Sequence, residues 1–343
     1  MASAPAPGIC KGESIKREFE GLDQTDVRLI AELESNPRQP HTEIASRLGL
    51  SRDTVRARLE RLLDARAVRI VGVADPMSVG FTTSVIMGIN VRSDRLLAVA
   101  DRLASLAPVQ HLMLCMGRFD IMAYGLFQRR TDFLDFLVGH IGHMAGVLHI
   151  ESMLTLRNTK IFGPLLSDGS GAHPGQSPVS ALDALDFALM RELQTDATQN
   201  SRRLAQKLGT SQSTVLRKIQ ALQSAGVMRI AALANPAVLG YEGVASIGMK
   251  FDPARLDEGA RVIGSCRNVQ TVAVCAGRYD IIAWAMFREL EDLSNFLTVE
   301  LGSVPGLQHL EAMTSLKIIK ASHVYLGDDG AGSGPPAAEA DGG

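Results

Sequence analysis

The chain has 343 residues, 46% of them hydrophobic and 21% charged, with a formal net charge of -2. That composition excludes fibrous, collagen-like and wholly disordered chains and leaves a globular protein with apolar residues enough for two to three domains. Its 4 cysteines (Cys10, Cys115, Cys266, Cys275) form no Cys-x-x-Cys pair and stand by no histidine cluster, which argues against zinc and disulfides and for a reducing cytoplasm.

Taken in order, residues 1–21 read as a disordered leader without the apolar stretch of a signal peptide, and no run of about 18 apolar residues follows that could span a membrane. Structure is predicted to begin at Leu22. Asp23 and Asp26 place acid at a helix start, Val27, Ile30 and Leu33 keep helical spacing, and Asn36-Pro37 ends the element. A short helix through Ile44, Ala45 and Leu48 stops at Gly49, a left-handed cap. Ser51 then caps a third helix with an inward stripe of Val55, Leu59 and Leu62. Two short helices joined tightly at Gly49 form a helix-turn-helix pattern, and the β-prone, basic Ala67-Val68-Arg69-Ile70 suits the wing of a winged helix.

From Phe81 the period changes. Strands are predicted over 84–91, 109–116, 121–127 and 147–156, with helices over 94–106 and from Thr131 to Ile141. The order βαββαβ is that of a ferredoxin-like domain, an antiparallel sheet with both helices on one face. Its other face needs cover. Residues 164–181 then read as a flexible linker, and 327–343 as a disordered tail.

Everything between recurs. Cys115-Met116-Gly117-Arg118-Phe119-Asp120-Ile121 returns 160 positions later as Cys275-Ala276-Gly277-Arg278-Tyr279-Asp280-Ile281, and Leu22-Asp23, Leu48-Gly49, Thr54-Val55, Pro76, His149 and Glu151 all repeat at that offset. Identity between the halves is roughly 30%, a duplication without gaps. The predicted architecture is therefore α+β: winged helix-turn-helix domains over 22–76 and 182–236 alternate with ferredoxin-like domains over 80–163 and 240–323. A second ferredoxin-like sheet can supply the cover that the first one needs.

Charge is local where function would need it. From His41 to Arg69 there are seven arginines against four acids, and from Ser201 to Arg229 there is no acid at all. A patch of this kind supplies phosphate neutralisation. The outer helices carry Ser51, Arg52, Asp53, Arg56 and Arg58 in the first half and Ser211, Gln212, Ser213, Leu216, Arg217 and Lys218 in the second, with Arg69 on the expected wing. These are the candidate contacts to double-stranded DNA.

Together with Asp75-Pro76-x-x-x-Gly80, Gly117-Arg118-Phe119-Asp120 and Gly146-x-x-His149-Ile150-Glu151-Ser152, this pattern resembles the Lrp/AsnC feast/famine transcription regulators, present twice. The resemblance implies DNA binding by the helical module and binding of a small effector, such as an amino acid, by the ferredoxin-like (RAM) module. It implies RAM-to-RAM pairing, within the chain or between copies. Carried over by motif, the effector residues are Gly117, Arg118, Phe119, Asp120 and Ser152, and Gly277, Arg278, Tyr279 and Asp280. Glycine lets backbone N–H groups approach a carboxylate, and aspartate can accept from an α-ammonium. Equally, Gly-Arg-aromatic-Asp can be a β-turn whose aspartate caps backbone. Ala312 stands where the first half has Ser152, so the two pockets are expected to differ.

A related branch, the sirohaem decarboxylases, is similar in its paired architecture and uses His, Tyr and Arg around a tetrapyrrole. The corresponding stretch here is Gln110-His111-Leu112-Met113, repeated as Gln270-Thr271-Val272-Ala273, so the histidine occurs once and no tyrosine adjoins it. His149 and His309 repeat, and read as structural or pocket-lining. The expectation from sequence is a cytoplasmic regulator that is not an enzyme and carries no cofactor or metal.

Overall fold

The computed structural model describes residues 22–161, 166, 182–236 and 238–321. The expected leader, the linker apart from Leu166, and the tail lie outside the described residues. The first half runs α1 (Gln24–Ser35), α2 (His41–Leu48), α3 (Arg52–Asp64), β1 (Val68–Ala74), β2 (Thr83–Val91), α4 (Leu96–Ala104), β3 (Val109–Met116), β4 (Ile121–Phe127), α5 (Arg130–Phe136) and β5 (Val147–Lys160). The second runs α6 (Ala184–Thr195), α7 (Ser201–Lys207), α8 (Gln212–Ser224), β6 (Met228–Ala234), β7 (Gly243–Phe251), α9 (Leu256–Ser265), β8 (Val269–Ala276), β9 (Ile281–Phe287), α10 (Leu290–Asn295) and β10 (Leu307–Ala321).

Local chemistry sets the helix ends. Asp23 and Asp26 form a reciprocal capping box, Asp26 N donating to Asp23 at 2.8 Å and Asp23 N to Asp26 at 3.1 Å, which satisfies two amides that the helix leaves unpaired. Gly49 ends α2 at φ 68°, a conformation that costs glycine least. The Ser51 hydroxyl accepts from Thr54 N at 3.0 Å and starts α3, and Ser211 does the same for α8 from Thr214 N at 3.1 Å.

The sheets account for the missing cover. Within each half the strands take the ferredoxin-like order, β3-β4-β2-β5 and β8-β9-β7-β10, and the two sheets join edge to edge through β5·β8 and β10·β3 into one closed eight-stranded barrel. Strands β5 and β10 run longer than their periodicity suggested because their last residues make those joints, Lys160 opposite Val272 and Ala321 opposite His111. The outer face of the first sheet packs Val85, Met87 and Ile89 against Val99, Leu103 and Phe136 of its helices. The inner faces meet through Met113, Met122 and Met153 on one side and Ala273, Ile282 and Met313 on the other. RAM pairing thus occurs within the chain.

Two expectations change. Residues 68–74 are not a wing beside their own helices, since β1 pairs with β6 of the other half, from Val68 opposite Ala234 to Ala74 opposite Met228. Val71, Val73 and Ala74 are buried, and a solvent-facing wing would have left them wet. Nor are the helical modules separate beads. The α1–α3 core takes in Ala232, Leu239, Val244 and Met286, and the α6–α8 core takes in Ala74, Val79, Phe81 and Leu126. Each helical module therefore rests on the other half. Burying a side chain of this size contributes about 1.5–3 kcal/mol over leaving it exposed, so pulling the halves apart would uncover both cores.

Candidate nucleic-acid interface and sensing site

The recognition helices α3 and α8 bury the same stripe, Val55, Leu59 and Leu62 in one and Val215, Ile219 and Leu222 in the other. Their caps turn the first helical residues outward. Arg52, Asp53 and Arg56 are exposed on α3, as are Gln212, Ser213, Leu216 and Arg217 on α8. Arg56 lies 3.8 Å from Asp53, and Gln212 donates to Ser201 at 2.9 Å. Both contacts are at the surface and can be exchanged for a base edge. Leu216 is a large apolar side chain left 50% exposed.

Arg58 and Lys218 do not belong to that face. Arg58 donates to Asp23 at 2.6 Å and Asp26 at 2.9 Å, and Lys218 to Asp183 and Asp186 at 2.8 Å each. Asp26 is only 1% exposed, and a carboxylate buried to that degree needs a cation. The acids at the start of the first helix hold the third helix against it, so these two residues clamp the module. Hydrogen bonds that Arg58 donates to Asp23 and Asp26 raise its pKa, and Lys218 in turn holds the Asp183 carboxyl below its ordinary range. A signal was present in the sequence, because both halves set a cation 35 residues after the first acid. Arg69 stays exposed, on the β1–β6 ribbon.

The structure brings the two Gly-Arg-aromatic-Asp turns together at one end of the barrel. Gly117 (φ 133°) and Gly277 (φ 148°) hold conformations that disfavour any side chain, and each packs on the final strand of the other half, Gly117 beside Ala312 and Gly277 beside Ser152. The turn aspartates are engaged: Asp120 accepts from Val91 N at 2.8 Å, and Asp280 from Phe251 N at 2.9 Å and the Lys250 ammonium at 2.7 Å. Phe119 and Tyr279 are buried inside the barrel, over Gly88 and Gly248, where an added Cβ would sit 2.5 Å and 2.6 Å from the rings. Gly, aromatic and Asp thus build the turn and hold it to the neighbouring strand. Ser152 is exposed, while its neighbour Met153 faces the barrel core, so alternation along the strand puts its hydroxyl on the face away from Glu151.

The turns present their arginines. Arg118 lies 2.8 Å from Glu151 and 3.9 Å from Glu311, and Arg278 lies 3.5 Å from Glu151 and 3.4 Å from Glu311. His149 and His309 flank the same glutamates at 3.6 Å and 3.3 Å. Tyr279 donates to Glu311 at 2.5 Å, a bond Phe119 cannot make. Burial alone pushes Glu311 up, yet the Tyr279 hydroxyl, His309 and Arg278 together hold its carboxyl below the ordinary range. Sequence reading missed both glutamates as site residues, although they repeat at the 160-residue offset. Burial pushes the Cys115 and Cys275 thiols up to about 12, so both behave as small apolar residues of the barrel core.

Two outward helices on one shared ribbon, set on a closed barrel with a charged seam between its halves, make a two-headed architecture in a single chain. The AsnC-type helix-turn-helix domain matches residues 22–63 and 182–223, and the Lrp/AsnC ligand binding domain matches 84–165 and 244–325. The chain belongs to the Lrp/AsnC family. Its relatives include an uncharacterised HTH-type transcriptional regulator of Pyrococcus furiosus, 32% identical over 139 residues, which covers 40% of this chain and 94% of that protein. The HTH-type transcriptional regulator FL11 of Pyrococcus abyssi is 30% identical over 141 residues, 41% of this chain and 93% of its own length.

One comparison corrects an expectation. The siroheme decarboxylase NirDL matches with a TM-score of 0.63 over 88% of this chain and 96% of its own, at 15% identity. At that identity the likeness is one of fold. It shows the two-headed architecture in an enzyme, and so overturns the flat expectation that a chain of this design is not an enzyme. No helix among the described residues is long and apolar enough to cross a membrane.

Proposed function

We propose that this regulator works in the cytoplasm, that its two unlike recognition helices read a non-palindromic operator, and that an amino acid bound between the two turns sets its hold on DNA. The observation that carries the operator reading is the contrast between α3 and α8. They share caps and buried stripes, yet expose Arg52, Asp53 and Arg56 in one and Gln212, Ser213 and Leu216 in the other. Arginine pairs bidentately with guanine, glutamine suits adenine, and leucine can touch only a thymine methyl.

The charged seam supports the effector reading. A zwitterion needs a cation for its carboxylate and an anion for its ammonium, and Arg118, Arg278, Glu151 and Glu311 offer both signs while 18–37% of each side chain stays exposed. Because the same ion pairs bridge the halves, an amino acid that exchanges them acts on the contact between the two sensing domains. A mobility shift with the DNA upstream of the protein's own gene, run beside a thermal-shift screen of amino acids, tests both parts. A stabilising amino acid that also alters the shift is the expected result, with stabilisation growing as RT ln(1 + [L]/Kd). Absence of any DNA shift contradicts the reader; a DNA shift and thermal midpoint indifferent to every amino acid contradict the effector.

A further inference from the structure

A second site lies at the opposite end of the barrel, beneath the ribbon. There a cavity of about 160 Å³ opens between the sheets, walled by Met113, Met122 and Ile282, roofed by Val73 and Ala74 of β1, and lined by His111 and Trp284. The two rings meet edge on, their centroids 4.7 Å apart. His111 Nε2 and Trp284 Nε1 are shut off from solvent and have no hydrogen-bond partner among the described residues. Two unmatched nitrogens at the wall of one cavity are unusual, because buried donors and acceptors are nearly always paired.

Three observations narrow what could complete the site. The volume suits one small ring, since an apolar cavity of roughly 150 Å³ accepts benzene. No Asp, Glu, Lys or Arg lines it among the described residues, and burial pushes the His111 ring down to about 4, so it stays neutral near pH 7. A carboxylate or ammonium would therefore be buried without a counter-ion. We infer that this cavity binds a small neutral aromatic molecule, with its ring among the methionines and one polar atom shared by His111 Nε2 and Trp284 Nε1. An amino acid does not fit these requirements, so this site is separate from the charged seam.

Duplication explains why the site is single. His111 corresponds to Thr271 and Tyr124 to Trp284 at the 160-residue offset, and all four line the one cavity. Two identical units would have placed the same residue twice. Divergence of the halves has produced one His–Trp pair, on a cavity whose roof is the ribbon that carries both reading helices.

Trp284 is the 1 tryptophan of the chain, so its emission reports on this cavity in the full-length protein. Benzyl alcohol, a neutral ring with one hydroxyl, is expected to change that emission saturably. Benzoate, the same ring with a charge, should bind about ten-fold more weakly or worse. His111→Leu should weaken benzyl alcohol about three- to ten-fold by removing one polar partner, and Ala273→Phe should abolish the response by filling the space. The proposal is overturned by an emission that never saturates up to the solubility limit, by benzoate binding equally well, or by an iron uroporphyrin displacing benzyl alcohol. None of these outcomes bears on the amino-acid reading, which is scored at the charged seam.

Discussion

The two halves of this chain fold alike and face outward differently, and the difference follows a rule. Positions that build the scaffold keep their chemistry: the Asp23–Asp26 and Asp183–Asp186 caps, the cations Arg58 and Lys218, and the positive-φ glycines Gly117 and Gly277. Positions exposed on the third helix of each module and positions lining the cavity have moved apart, Arg56 against Leu216 and His111 against Thr271. A homodimer cannot do this, because each change would appear twice. Fusion frees the halves to specialise while the barrel and ribbon hold them in one frame.

The largest effects should come from breaking the scaffold where the halves differ in degree. Among the described residues Asp26 meets two arginines, Arg58 and Arg61, while Asp186 meets one cation, Lys218. Asp26→Ala is expected to cost about 2–4 kcal/mol in denaturant unfolding, reduced from the fully buried case because Arg61 is half exposed. Asp186→Ala should cost less, about 1–2 kcal/mol. Equal losses would remove the distinction between the two clamps.

The next contrast appears with pH. His111 is held near 4 in the fold against an ordinary 6.5, so the unfolded chain binds a proton that the folded chain refuses between those values. Stability should therefore be full above about pH 6.5 and fall as pH drops toward 4, by on the order of 2–3 kcal/mol from this one group. Thr271 contributes nothing of the kind. Urea midpoints measured across that window should flatten in His111→Leu, and an unchanged slope would show that the ring titrates normally.

On DNA, Arg56→Ala should cost about 1–3 kcal/mol at one half-site if its guanidinium meets a guanine, and leave the other half-site alone. Smallest is the seam, where Tyr279→Phe makes the second half like the first and removes the bond to Glu311. A loss of about 1 kcal/mol is expected in thermal unfolding, and a neutral result would mean that Arg278 and His309 satisfy Glu311 unaided.

How much of this was legible follows from the range over which each force acts. Caps, stripes and the βαββαβ order are written within a few residues, and Ser51, Gly49 and Val55-x-x-x-Leu59 could be read directly. The β1–β6 ribbon and the crossed cores could not, because Val68 finds Ala234 and Leu239 finds the first-half helices across more than a hundred residues. Charge counts placed Arg58 and Lys218 on a DNA face, and the shared 35-residue spacing from Asp23 and Asp183 gained its meaning once the fold set those carboxylates against the cations. At the turns, the motif named Arg118 and Arg278, and the fold adds what they meet: the aspartates hold backbone, and the arginines pair with Glu151 and Glu311 across the seam.

Since each helical module rests on the other half, the decisive measurement uses the whole chain: selection of bound duplexes from a random pool, with the parent protein and with Leu216→Arg. The expected result is an operator with two different half-sites, and a variant whose second half-site shifts toward the guanine-bearing first. A palindromic operator for the parent, or a Leu216→Arg profile identical to it, would contradict the claim that the two halves read different DNA.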